Sequence, residues 1–181
     1  FNLPKIEYTL RTINSLIVSC HLALREFKNL KINLLITDDN SSEENLFRIK
    51  DILKSANFNY QLINLKNDEF KNEINLKDEN DKLVSPGMIS NMKNILKSIN
   101  LTKEIVNDLV YFVEDDYLHK KEAITEMLFT YEKITSQLKR EIFLCPADYP
   151  YLYTKAENTN IFIGNKRHWR TVKETLITFL T

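Results

Sequence analysis

Three consecutive carboxylates, Glu114, Asp115 and Asp116, close the apolar run Leu109-Val110-Tyr111-Phe112-Val113. β-Branched and aromatic residues in such a run read as a buried strand. Acids clustered at a strand end repel one another and lose solvation unless a cation or a set of donors offsets both costs. A hard divalent cation with oxygen ligands is the simplest offset, and nucleotide phosphates are its common companions. The carboxyl ends of strands in open α/β sheets are also where ligands bind. The plainer reading of the same triplet is a solvated acidic turn ahead of a helix near His119.

A second segment repeats this grammar. Ile32-Asn33-Leu34-Leu35-Ile36-Thr37 is an apolar strand, followed by Asp38, Asp39, Asn40, Ser41, Ser42, Glu43 and Glu44. Ser41 or Ser42 can cap the helix that follows, and the two glutamates suit its N-terminal dipole. A cap accounts for the serines but not for paired aspartates at the strand exit. Asx hydrogen bonds within a turn are the structural alternative for Asp38 and Asp39.

Taken together, "LLITDDNSSEE" and "LVYFVEDDYL" resemble the nucleotide-sugar glycosyltransferases of the GT-A fold, of the family-2 type. The first is similar to that family's nucleotide-binding strand, which ends in D-D-x-S. The second is similar to its metal-binding DxD motif in an EDD form. Gly87-Met88-Ile89-Ser90-Asn91-Met92-Lys93 resembles the helix that precedes the DxD strand. The likeness spans residues 8–118 and is looser beyond; order and spacing carry it more than any one motif.

The resemblance implies an α/β fold: a Rossmann-like, mostly parallel sheet flanked by helices. The chain then reads as one domain over 1–181, or a fragment of one, because the Pro-interrupted segment before residue 8 does not read as the family's first strand. The implied activity is metal-dependent transfer of a sugar from a nucleoside diphosphate sugar, UDP-linked in this reading, to a carbohydrate or lipid-linked acceptor. Mn²⁺ or Mg²⁺ is the implied cofactor, neutralising the leaving diphosphate. Asp116 matches the direct metal ligand, with an N-cap as its structural alternative. Asp115 and Glu114 match contacts to ribose or metal-bound water, and Asp38 and Asp39 match contacts to base or ribose.

Further candidates lie downstream. Asp148, in Cys145-Pro146-Ala147-Asp148-Tyr149, is an acid at a strand exit and a candidate base for an acceptor hydroxyl. Glu157 and Glu174 are unranked alternatives. In Asn165-Lys166-Arg167-His168-Trp169-Arg170, Arg167 is a candidate contact to the diphosphate and His168 a candidate metal ligand. The stretch 155–169 reads either as a lid closing over the donor or as a static hairpin.

Composition narrows the field. The 25 basic and 25 acidic residues balance, leaving no electrostatic footprint for nucleic acid. Cys20 and Cys145 each sit in apolar runs and read as buried free thiols, without zinc spacing. No nucleophile elbow and no Gly-rich phosphate loop occurs, which weighs against hydrolase and nucleotidyltransferase chemistry. A non-catalytic nucleotide-binding α/β module remains the non-enzymatic rival. No run approaches the roughly 20 apolar residues of a membrane span, and no leader is read at the start. The expected setting is cytoplasmic, compatible with peripheral membrane association.

Elements that would position these residues follow from periodicity. Apolar spacing predicts helices over 8–29, 42–56, from Pro86 onward with Met88, Met92, Ile95 and Ile99 inward, and over 120–138. Strands are predicted at 32–37, 59–65, 109–114, 141–145 and 160–164. The charged stretch 66–82 lacks periodicity and reads as a surface loop.

Overall fold

The computed structural model describes residues 3–66, 68–105, 108–147, 149, 153–154, 158–173 and 178–181. The order along the chain is α1 (Lys5–Glu26), β1 (Asn33–Asp38), α2 (Glu43–Leu53), β2 (Asn59–Asn64), α3 (Pro86–Ile105), β3 (Tyr111–Phe112), α4 (Ala123–Leu138), β4 (Ile161–Ile163), β5 (His168–Arg170) and β6 (Phe179–Leu180). The protein is mixed α/β. Among the described residues the strands pair in three two-stranded sheets, β1–β2, β3–β6 and β4–β5, and not in one mostly parallel sheet. Only β1–β2 is parallel. The chain divides into two compact units.

The first unit comprises Phe1–Lys31, Ile52–Asn57 and Leu109–Thr181. Pro4 stands at the N-cap of α1, and its carbonyl accepts the Glu7 N–H at 2.9 Å. The helix therefore begins ahead of its apolar stripe, because a proline at a helix start forfeits no ladder bond. Leu10, Ile13, Leu16, Ile17, Cys20 and Ala23 are buried along one face, and α1 packs against α4. On α4, Ile124, Met127, Tyr131 and Ile134 are buried. Fully burying each aliphatic side chain of this size stabilises by about 1.5–3 kcal/mol.

Two serines of α1 lock this pair. Glu122 precedes α4 but gives no side-chain cap. Instead Ser19 Oγ accepts the Ile124 N–H at 2.9 Å, and Ser15 Oγ accepts the His119 N–H at 3.0 Å. Backbone donors orphaned at a helix start are thus satisfied from the neighbouring helix.

The last described residues form part of the same unit. β6 lies antiparallel to β3, with Tyr111 opposite Leu180 and Phe112 opposite Phe179. Val110 and Thr181 exchange both backbone hydrogen bonds, at 2.8 and 2.9 Å. On its other side Leu180 bridges Leu144. The strand expected at 141–145 is thus reduced to one bridge, while 179–180, which has no strand signal of its own length, becomes the shared partner. Two residues are too few for a pattern; pairing on both sides supplies what propensity does not.

The second unit comprises Ile32–Asp51 and Phe58–Asp108. β1 and β2 run parallel in register from Asn33↔Asn59 to Asp38↔Asn64, joined through α2 in a βαβ connection. Ser42 Oγ caps α2 by accepting the Asn45 N–H at 3.3 Å. α3 opens on Pro86, and Ser85 Oγ accepts the Met88 N–H at 3.3 Å. Of its expected inward residues, Met92 and Ile95 are half-buried, whereas Met88 and Ile99 are exposed. A helix of 20 residues is about 30 Å long, wider cover than two strands about 5 Å apart can give. Residues 68–82 form turns and bends with one isolated bridge, Lys77↔Leu83, and are tied to α3 where Lys97 Nζ meets Glu69 Oε1 at 2.6 Å.

Candidate functional site

The acidic strand exit of the first unit is built by three elements. β3 carries the chain out to Glu114, α1 stands beside Asp115, and the β3–β6 pairing brings Thr178 under Glu114. Thr178 is fully buried, and its Oγ1 accepts the Glu114 N–H at 3.3 Å. Asp115 is drawn to the start of α1: Lys5 Nζ lies 3.3 Å from Oδ2, and Thr9 Oγ1 donates to the same atom at 3.1 Å. Both Lys5 and Asp115 face solvent, so this pair contributes little stability. It does commit Asp115 to a protein partner.

Among the described residues no cation pairs with Glu114 or Asp116. Burial pushes the half-buried Glu114 carboxyl above the ordinary glutamate value, and the Asp116 and Asp115 charges push it further. Hydrogen bonds from the Tyr117 and Thr178 side chains pull it down without cancelling the rise. Asp116 itself is exposed. It is not the N-cap of α4, whose N-cap is Glu122, so the helix does not explain its presence. Tyr117 and Tyr149 share a hydroxyl–hydroxyl hydrogen bond beside Glu114. Burial is the first cause of the raised values of both phenols.

His119 seals the strand from below. Its Nε2 is 3.0 Å from the Tyr111 hydroxyl, and burial lowers it to about 4, so the imidazole is neutral at physiological pH.

The exit of β1 uses its acids differently. Asp38 is buried, and its Oδ2 accepts the Ser41 N–H at 3.1 Å, an Asx-type turn closed by Asn40 at φ 66°. Asp39 turns inward toward α3, with Lys93 Nζ 3.8 Å from Oδ1. That distance compensates charge without forming a hydrogen bond, and Asp39 Oδ1 is a buried acceptor without a donor among the described residues.

From residue 158 on, the basic–aromatic segment carries the β4–β5 hairpin, while 155–157 lie outside the described residues. Arg167 and His168 are exposed, His168 opposite Ile163. A residue with no role in the sequence reading holds this hairpin. Glu126, buried on α4, accepts five hydrogen bonds: from the N–H groups of Asn165, Lys166 and Arg167, from Trp169 Nε1 and from Thr130 Oγ1, at 2.7–3.3 Å. Burial raises its carboxyl, but the donors from Lys166, Trp169, Asn165 and Thr130 outweigh this and hold it below the usual range. Gly164 permits the approach, since a Cβ there would lie 2.3 Å from Glu126 Oε1. An acid set among Ile124 and Met127 on an apolar helix face, with a rare glycine in the turn, was the available signal.

Asp148, Glu157 and Glu174 lie outside the described residues. Among the described residues no group of three or more His, Cys, Asp or Glu side chains converges as a metal cage, and His168 is not joined to Glu114 and Asp116 in one. Two carboxylates remain as hard oxygen donors of the kind Mn²⁺ and Mg²⁺ take, with substrate oxygens and water supplying the rest. No described helix is long and apolar enough to cross a membrane. Comparison with protein-family models, with curated proteins and with solved structures finds no match to this chain.

Proposed function

We propose that this chain is a metal-dependent glycosyltransferase of GT-A type, moving a sugar from a UDP-linked donor to a carbohydrate or lipid-linked acceptor. The observation that carries the reading is the uncompensated charge at the β3 exit. Glu114 is forced up by burial and by its Asp116 neighbour, a tension that a divalent cation would relieve. Glu114 and Asp116 would hold Mn²⁺ or Mg²⁺, which when bound supplies charge neutralisation for the departing diphosphate. At the exit of β1, Asp39 Oδ1 is a buried acceptor without a donor among the described residues, a chemistry that suits a base N–H or a ribose hydroxyl.

Within this proposal Asp116 is the direct ligand and Glu114 the acid whose protonation tunes the site. Asp115, held by Lys5 and Thr9, positions the strand end. Arg167 and His168, exposed on the β4–β5 hairpin, are the candidate contacts to the diphosphate and the metal. The parallel β1–β2 pair joined through α2 is a βαβ unit of the kind a GT-A fold would use. The free thiols Cys20 and Cys145 suit a reducing, cytoplasmic setting.

A second reading has its own observation. Asp38 caps Ser41 and Asp39 faces Lys93, which makes the first acid pair part of a turn in a non-catalytic α/β module. Thermal melts with UDP, with Mn²⁺ and with both decide between them. The glycosyltransferase reading requires a shift with the pair that exceeds the sum of the two alone. No shift with the pair leaves the module.

A further inference from the structure

The β4–β5 hairpin presents two unlike faces. Phe162 and Trp169 pair across it, and Trp169 reaches inward to Glu126. Strand alternation sends their neighbours the other way. Ile161 and Ile163 are accordingly 70% and 64% exposed, the largest aliphatic exposure in the hairpin. Across from them stand Arg170 and His168. Arg170 lies over the ring of the exposed Tyr153, 4.3 Å from its centroid.

The charge of this segment departs from the rest of the chain. Between Glu157 and Glu174 the sequence carries Lys166, Arg167, Arg170 and Lys173 and no acid, in a chain whose 25 basic and 25 acidic residues balance as a whole. Lys166 and Arg167 are exposed at the tip. The tip's backbone N–H groups are already spent on Glu126, so only side chains are left to meet a partner. Glu126 also fixes the turn rigidly, which keeps the isoleucines on the outside.

We propose that the outer face of this hairpin docks on an anionic lipid surface. Two adjacent exposed isoleucines beside a tyrosine suit the boundary between headgroups and acyl chains, and the tip cations suit anionic headgroups. Charge selects this occupant over two others. A second copy of the chain would bring like-charged tips together across a two-fold contact. A nucleic acid would satisfy the cations but leave both isoleucines in water. The inference stands apart from the proposed glycosyl transfer and uses none of its residues but Arg167.

Co-sedimentation of the whole chain with vesicles tests it. Binding is expected to phosphatidylcholine vesicles containing about 30% phosphatidylglycerol and not to phosphatidylcholine alone, and it should weaken as salt is raised. Lys166→Gln with Arg167→Gln should lower partitioning about 25-fold, roughly fivefold for each cation. Ile161→Ser with Ile163→Ser should lower it at least about tenfold. Circular dichroism melts should be unchanged, because these four side chains leave the core untouched. Absence of binding to anionic vesicles, or binding that survives the isoleucine variant, overturns the proposal. Equal binding of that variant to DNA would make the tip a general polyanion site and overturn it likewise.

Discussion

Two strand exits in this protein share one sequence grammar and use it in opposite ways. At the end of β1 the acids are absorbed: Asp38 closes a turn on Ser41, and Asp39 faces Lys93 at 3.8 Å. At the end of β3, among the described residues, the middle acid alone meets a cation, Lys5, with Thr9 beside it, and Glu114 is raised by burial and by Asp116. Adjacent carboxylates therefore do not by themselves mark a cation site. What matters is whether a neighbouring element supplies a base. α3 places Lys93 beside the first exit, while His119, a few residues beyond the second in sequence, is neutral through burial.

The largest expected effect separates the two exits by ligand binding. Asp116→Asn keeps the shape and removes the charge, so Mn²⁺-dependent affinity for UDP should fall about 100-fold. Because Asp116 is exposed and caps no helix, its melting temperature should hold or rise slightly. Calorimetric titration of UDP at saturating Mn²⁺ measures the first, and a melt the second. Unchanged affinity would remove Asp116 from any metal site and erase the contrast.

Glu126 supplies a third case, an acid fully satisfied by donors. Glu126→Gln turns one acceptor into a donor facing N–H groups and should cost about 3 kcal/mol of stability. Its carboxyl is held below the ordinary value, so its contribution is complete above the unfolded-state pKa and is lost as pH falls through the folded one. Urea unfolding at neutral pH, repeated in acid, should show the gap between parent and variant closing as pH drops. A gap that persists in acid would mean packing and not charge holds the hairpin.

Much of this was legible in the chain, and the limits have physical causes. The α1 stripe from Ile13 to Cys20, the cap at Ser42, and both acidic exits follow from local spacing. The partners of those acids do not. Lys93, Thr178 and Tyr149 reach their places through long-range packing, and nothing near them in sequence points to Asp39 or Glu114. Sheet order failed for a related reason: β6 is two residues long, and its pairing with β3 rests on contacts and not on pattern. α3 shows the converse, an apolar face written for a wider sheet than β1–β2 provides, so Met88 and Ile99 stay in solvent.

A smaller effect is expected at Asp39. Removing its side chain as Asp39→Ala should weaken UDP binding about tenfold, the worth of a hydrogen bond to a charged acceptor. The dependence on Mn²⁺ concentration should not change, because Lys93 already compensates this charge. A shifted Mn²⁺ dependence would give Asp39 a part in metal binding and would break the comparison. A loss of stability with no loss of binding would instead leave Asp39 as a turn residue.

The smallest effect concerns Glu114 and its protonation. Its folded value is raised, so the neutral form is favoured by the fold. The stability this gives is present below the unfolded pKa and is lost as pH rises through the folded one. With the carboxyl partly open to solvent the loss should stay below about 1 kcal/mol. Mn²⁺ should reverse the trend, since binding competes with the proton and grows as Glu114 ionises. Melts in EDTA and in Mn²⁺ across mildly acid to neutral pH should therefore diverge, with a midpoint above the ordinary glutamate value. Glu114→Gln should make the two curves run parallel. Divergence that survives in the variant would assign the titration to another group and leave the strain at this exit without a chemical purpose.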